Sequence, residues 1–293
     1  MHTPDGLLTG WICLLCWIIA ISATGIAVWR LRHTLTQKRL GLFIASLGLV
    51  FALQLLNVPI ASGTSGHIIG AGLLALLFGP SAAIVGMAIV LSVQTALFGD
   101  GGTLSLGANI FSMGIVASLS TWGVHRSLRR AIPVLSSGIS GMVGVLAAAA
   151  STSLLLASSG VVPLNEVLPS MLSAHLVVGL MEALILVVGL GVVRSWSASK
   201  VQLVRTIAIG SLLLVALILP FVSSAPDAME SVSIRMGFFE RAVEIHHAIP
   251  FPGYALFGNG SYWASLAVAA IGISIVMVMG LGVTSFVVRK ERA

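Results

Sequence analysis

LLTGWICLLCWIIAISATGIAVW, residues 7–29, runs for 23 residues without a charged side chain. A bilayer core takes about 20 apolar residues of helix, so this stretch reads as a membrane span. Eight more apolar runs follow, at about 40–58, 67–79, 81–98, 104–123, 131–157, 169–193, 202–222 and 262–287. The run at 67–79 is short, and Gly79-Pro80 breaks it from the next. The whole chain agrees with this reading. Of its 293 residues 57% are hydrophobic and 8% charged, with a mean hydropathy of +1.08. A soluble fold of that size needs more polar surface. The expected class is an all-α polytopic membrane protein with about nine transmembrane helices. Disorder, a disulfide scaffold and a nucleic-acid-binding domain are excluded. Cys13 and Cys16, both inside the first run, read as small apolar packing rather than a zinc or redox pair.

The basic residues orient the chain. Arg30, Arg32, Lys38 and Arg39 follow the first run, and Arg126, Arg129 and Arg130 the fifth. Arg194, Lys200 and Arg205 separate the seventh and eighth, and Arg289, Lys290 and Arg292 end the chain. With the N-terminus outside and nine crossings, all thirteen face the cytoplasm, which the positive-inside rule favours. Arg235 and Arg241 then face out, with Asp5, Asp100, Glu166, Asp227, Glu230, Glu240 and Glu244. The start has no basic n-region, so no cleaved signal peptide is expected and the mature chain should begin at Met1. The expected location is a cytoplasmic (inner) cell membrane, multi-pass, in contact with lipid. The long Pro- and Gly-bearing stretch 223–261 is a candidate boundary between fused modules.

Of seven histidines, His33 and His125 fall in basic loops, and His246 and His247 in the outer loop, where a surface role is expected. His2 and His67 differ. The Met1 amine, the His2 backbone nitrogen and His2 Nδ1 can close two fused chelate rings on one ion. If the amide deprotonates, they give three nitrogen donors in a plane, which suits Ni(II) or Cu(II). His67, in SGTSGH at 62–67, falls on the same membrane face and can complete the square. Asn109 either supports such a site or links helices. Glu182 lies mid-membrane, where a bare carboxylate is costly. It shares a face with His175 seven residues earlier, either as a packing network or as support for an ion path. No GxxxxGK[ST], GxSxG or HExxH motif occurs.

MHTPDG, TSGHIIGAGLLALLFGP, QTALFGDGGTLSLGAN and SAHLVVGLMEALI together resemble the CbiM/NikM family of substrate-binding membrane components of cobalt and nickel energy-coupling factor transporters. The resemblance covers about residues 1–220. SSAPDAME at 223–230 is similar to the PDGLE segment of the small CbiN/NikN-like partner, with Ala228 and Met229 replacing Gly and Leu. The resemblance implies a seven-helix core, residues 1–222, fused to a module at 223–293, with the helix near 202–222 assignable to either. It implies a nickel or cobalt site built from Met1, His2 and His67, with Ser65, Asn109, His175 and Glu182 as candidates for supporting it. ANIFSMG departs from the family's ANxxNMG at Ser112. It also implies partners: a CbiQ/NikQ-like membrane scaffold and a CbiO/NikO-like ATPase. The chain itself is then not an enzyme, needs no cofactor, and carries Ni2+ or Co2+ as its ligand. An ion-coupled secondary transporter is a rival, but no internal repeat supports it. An intramembrane hydrolase lacks a nucleophile motif, and a membrane metal sensor stays open.

Overall fold

The computed structural model describes residues 1–61, 63–197, 199–243, 249–255 and 261–287. His246, His247, Glu244, Arg289, Lys290 and Arg292 lie outside the described residues. Helices dominate: α1 (Gly10–Thr34), α2 (Gln37–Leu55), α3 (Ala71–Phe78), α4 (Pro80–Val93), α5 (Leu106–Asn109), α6 (Ala117–Leu128), α7 (Leu135–Ser158), α8 (Leu164–Ser195), α9 (Lys200–Ile218), α10 (Ala228–Arg235) and α11 (Tyr262–Val287). A hairpin of β1 (Val58–Ala61) and β2 (Thr64–Gly66) joins α2 to α3, pairing Val58 with Gly66 and Pro59 with Ser65.

Among the described residues seven helices are long and apolar enough to cross a membrane: α1, α2, α4 with its extension to Phe98, α7, α8, α9 with its extension to Phe221, and α11. The two other expected runs take different forms. The third yields only the eight residues of α3, about 12 Å of helix. Gly70 (φ 75°) and Gly79 (φ 90°) bound it in conformations that disfavour side chains. The fifth is one helical path from Leu106 to Leu128, widened to π-helix over Ile110–Val116 between α5 and α6. A second π-helical stretch, Gln94–Phe98, ends α4. Such widened turns break the regular ladder and frequently sit at functional sites.

The core gathers around α3 and α4. α3 packs on α4, α6, α7 and α8, while α1 lies against α4 and α5. α9 and α11 pack on α2. Cys13 and Cys16 form no disulfide and sit on the buried face of α1 with Ile12 and Ala20. The stretch after α9 is not all loop: Asp227 caps α10 by accepting from Glu230 N at 2.8 Å. That cap brings the segment beside β2, where Ser65 N donates to Pro226 O at 2.9 Å.

Candidate metal centre

The first five residues are threaded into the protein rather than frayed. Asn109 clamps Thr3 from both sides: Thr3 N donates to Asn109 Oδ1 at 2.8 Å, and Asn109 Nδ2 donates to Thr3 O at 3.2 Å. Gly102 N adds a bond to Thr3 O at 3.0 Å. The Asp5 carboxylate accepts from Ser105 N (2.8 Å) and Thr103 Oγ1 (3.1 Å). Asp5 is therefore committed to fixing the chain start. Gly101 (φ 88°) permits the approach, since a Cβ there would meet Asn109 Nδ2 at 2.8 Å.

This threading brings the N-terminal nitrogens together. The Met1 amine lies 3.2 Å from His67 Nε2, and the His2 and His67 rings stack with centroids 5.1 Å apart at 25°. Met1, His2 and His67 are 4%, 8% and 5% exposed. His67 Nδ1 sits 3.2 Å from Ile68 O. A proton there leaves the Nε2 lone pair facing the amine. Metal–nitrogen bonds of about 2.0–2.1 Å put neighbouring corners of a square roughly 2.8–3.0 Å apart, so the amine and His67 need little movement. His2 needs more. Its Nδ1 lies 3.1 Å from Asp100 Oδ1, and its buried Nε2 has no hydrogen-bond partner among the described residues. Chelation through Nδ1 requires that nitrogen to give up Asp100. Burial depresses the proton affinity of both imidazoles; the Met1 ammonium lowers His67 further and outweighs any pull from the nearby carboxylates. Both therefore stand neutral, the form that coordinates. Among the described residues no group of three His, Cys, Asp or Glu side chains is arranged to hold a metal. The candidate centre depends on the amine and a backbone nitrogen.

The remaining candidates fall around this cluster. Glu182 accepts from Ile69 N at 3.0 Å and Gly70 N at 3.1 Å, which fixes the backbone just after His67. His175 Nδ1 lies 2.8 Å from Met171 O, and its buried Nε2 has no partner among the described residues. It lines a small cavity with Met1, His67 and Asp227. The Ser65 hydroxyl is spent on the segment before α10, donating to Ala225 O at 2.7 Å. Ser112 is buried in the π-helical stretch.

Sequence reasoning missed Asp227. The Met1 ammonium donates to Asp227 Oδ2, which also lies 4.0 Å from His67 Nε2. Burial pushes this carboxyl up, but the ammonium and His67 overcome that and hold it below the usual carboxylate range. The signal was the PDAME stretch itself, a capping Asp ahead of an apolar turn. Nothing in one sequence says that this cap reaches residue 1.

A family model described as CbiM, cobalt uptake substrate-specific transmembrane region, matches residues 2–199. The chain is 31% identical over 300 residues to a putative fused nickel transport protein NikMN of Archaeoglobus fulgidus, covering 98% of this chain and 99% of that one. A solved structure of a transition metal transporter superposes with a TM-score of 0.62 at 31% identity, covering 70% of this chain and 98% of that one. A truncated transition metal transporter gives 0.61 at 33% identity, covering 66% and 98%.

Proposed function

The chain belongs to the CbiM family, and from that premise we propose that it captures nickel or cobalt on the outer face of a cytoplasmic membrane for ATP-driven import. Its curated relatives are named for nickel and cobalt transport, so the broad role is that of a transport component and not of an enzyme. The observation that carries the capture reading is the Met1 amine 3.2 Å from His67 Nε2 with His2 stacked beside them. Four nitrogens, those of the Met1 amine, the His2 amide, the His2 ring and His67, would form the square. A planar set favours Ni2+ over Co2+. Asn109, Glu182 and Asp227 would orient these donors, and His175 would close the site from below.

The charge pattern supports an outside N-terminus. The basic clusters between α1 and α2, α6 and α7, and α8 and α9 share the face opposite to the site under that orientation. Residues 1–222 act as the metal-binding unit, and 223–293 as the fused module that supplies Asp227. ATP hydrolysis belongs to a separate ATP-binding cassette partner, coupled through a membrane scaffold subunit, because this chain has no phosphate-binding loop.

Residues added before Met1 test the reading. They turn the amine into an amide and displace the terminus, so Ni2+ binding should collapse in protein still inserted in the membrane. A tag after Ala293 should leave binding intact. Full Ni2+ binding by an inserted, N-terminally extended chain would overturn the reading. Ni2+ and Co2+ in competition during uptake, with both partner subunits present, decide the metal.

A further inference from the structure

Gln94 is fully buried at the point where α4 widens into the π-helical stretch Gln94–Phe98. Its backbone groups are both paired. The N–H donates to Val90 O and Leu91 O, and the carbonyl accepts from Gly99 N and, at 3.2 Å, from Asp100 N. The side chain is not paired: neither Oε1 nor Nε2 has a hydrogen-bond partner among the described residues. A buried amide with both ends unmet is costly and calls for an explanation.

The turn that follows Gln94 folds back over His2. A Cβ on Gly101 would stand 3.4 Å from His2 Cβ and 3.6 Å from Thr95 Oγ1. Asp100 reaches His2 Nδ1 at 3.1 Å with one oxygen and accepts from Tyr254 OH at 2.9 Å with the other. Burial dominates the proton affinities of His2, which is lowered, and Tyr254, which is raised, and Gln94 acts on each as well. It favours the protonated imidazole, as a carbonyl oxygen does, and the ionised phenol, as an amide N–H does. The two signs orient the side chain, with Oε1 toward the His2 ring and Nε2 toward Tyr254. His2 Nε2 is also buried and without a hydrogen-bond partner among the described residues. An unmet ring nitrogen and an unmet carbonyl therefore lie side by side.

A carboxylate only accepts, so in the metal-free protein the contact with Asp100 puts the His2 proton on Nδ1 and leaves a lone pair on Nε2. Two lone pairs, on Nε2 and on Gln94 Oε1, then meet without a bond. They become a hydrogen bond only in the other tautomer, which is the one that frees Nδ1 for a metal. We propose that Gln94 is the positioning residue of His2: in the loaded site its Oε1 accepts from Nε2–H and keeps Nδ1 on the ion, while Asp100 holds the opposite tautomer in the empty site. As the ion enters, water takes the proton from Nδ1 and supplies one to Nε2, so the ring is neutral before and after. The proposal rests on the reading of His2 as a ligand through Nδ1.

Nuclear magnetic resonance of purified full-length protein carrying ring-labelled nitrogen-15 histidine reports which nitrogen holds the proton, with His2 identified against His2→Ala. Planar Ni2+ is diamagnetic and leaves these signals visible. In wild type the His2 proton should sit on Nδ1 without metal and on Nε2 once Ni2+ is bound. Gln94→Met keeps the length of the side chain and lacks the carbonyl. It should weaken Ni2+ binding about 10-fold or more and let the Nε2 proton exchange faster with water, a change that a packing role alone would not produce. Asp100→Ala should move the metal-free proton to Nε2. A metal-free wild-type proton already on Nε2, a proton that stays on Nδ1 in Asp100→Ala, or wild-type Ni2+ affinity or proton exchange in Gln94→Met would overturn the proposal and leave the nitrogen site standing. Ni2+ binding that leaves the His2 ring signals unmoved would overturn the nitrogen-site reading, and this proposal with it.

Discussion

α4 with its extension, Pro80–Phe98, and α9 with its extension, Lys200–Phe221, are both apolar enough to cross a bilayer, yet 78% of the first's apolar window is buried within the protein against 17% of the second's. Hydropathy places both in the membrane and says nothing about which one the fold is built around. Small residues do. α4 carries Ser81, Ala82, Ala83 and Gly86, and a Cβ at Gly86 would come within 2.7 Å of Leu47 and 2.9 Å of Leu74. α9 instead presents Ile209, Leu213 and Leu217 outward, one face at four-residue spacing. The inner helix leads directly through Gln94–Phe98 to Asp100 and the site. The outer one leads to Asp227, which reaches the same site from the opposite direction.

The largest effect should come from the donors themselves. His67→Ala removes one nitrogen of the proposed four. Orienting partners alone cost about 10–100-fold in affinity, so losing a ligand should exceed ~100-fold. Calorimetry with Ni2+ on purified, inserted protein checks it, and unchanged affinity would remove His67 from the site.

Residues that aim the donors come next, and they compare the two regions directly. Asn109→Ala frees Thr3, Glu182→Gln loosens the backbone after His67, and Asp227→Ala releases the amine. Each should weaken Ni2+ binding about 10–100-fold. An Asp227→Ala protein with wild-type affinity would make the C-terminal module a bystander. A loss equal to that of Asn109→Ala would make the module part of the site.

Packing should show a smaller difference. Gly86→Ala forces Leu47 or Leu74 to yield, and overpacking of this kind costs about 1–3 kcal/mol. The expected result is a lower Tm with the Ni2+ spectrum intact.

How much of this was readable in residues alone differs by region. The membrane class, the boundaries of the last helix at 262–287 and the pairing of His2 with His67 followed from composition and from the chemistry of a terminal amine. The fates of the third and fifth runs did not. An eight-residue α3 and a π-widened helix depend on neighbours that bury Ala71–Phe78 and Ile110–Val116, and periodicity cannot see neighbours. Asn109 was legible as a polar residue in a span, but its partner, the Thr3 backbone, was not. Asp227 was legible only as a helix cap, because its contact with Met1 spans 226 residues of sequence.

pH should act through the imidazoles of the metal-free protein. Burial foremost, then the Met1 ammonium and His2, holds the folded His67 well below the free value of about 6.5. As pH falls below that value the unfolded chain takes up a proton that the folded site refuses. Stability is therefore complete above roughly pH 6.5 and declines toward the depressed folded value. Between pH 7 and 5 the loss should be on the order of 1 kcal/mol. Tm measured over that window should fall in wild type and flatten in His67→Gln. Equal slopes in the two would assign the decline to other groups.

The smallest effect is expected at Gly210, in the middle of α9, where an added Cβ meets nothing within 4 Å. The backbone there is ordinary helix, so alanine needs no change of conformation. Alanine also loses less backbone freedom on ordering than glycine, a gain of about 0.5–1 kcal/mol in a helix interior. Gly210→Ala should therefore leave Tm unchanged or slightly raised and the Ni2+ affinity untouched, the opposite sign to Gly86→Ala on a helix of similar composition. A clear destabilisation by Gly210→Ala would mean that another surface covers this face of α9. The contrast between an inner α4 and an outward-facing α9 would then fail.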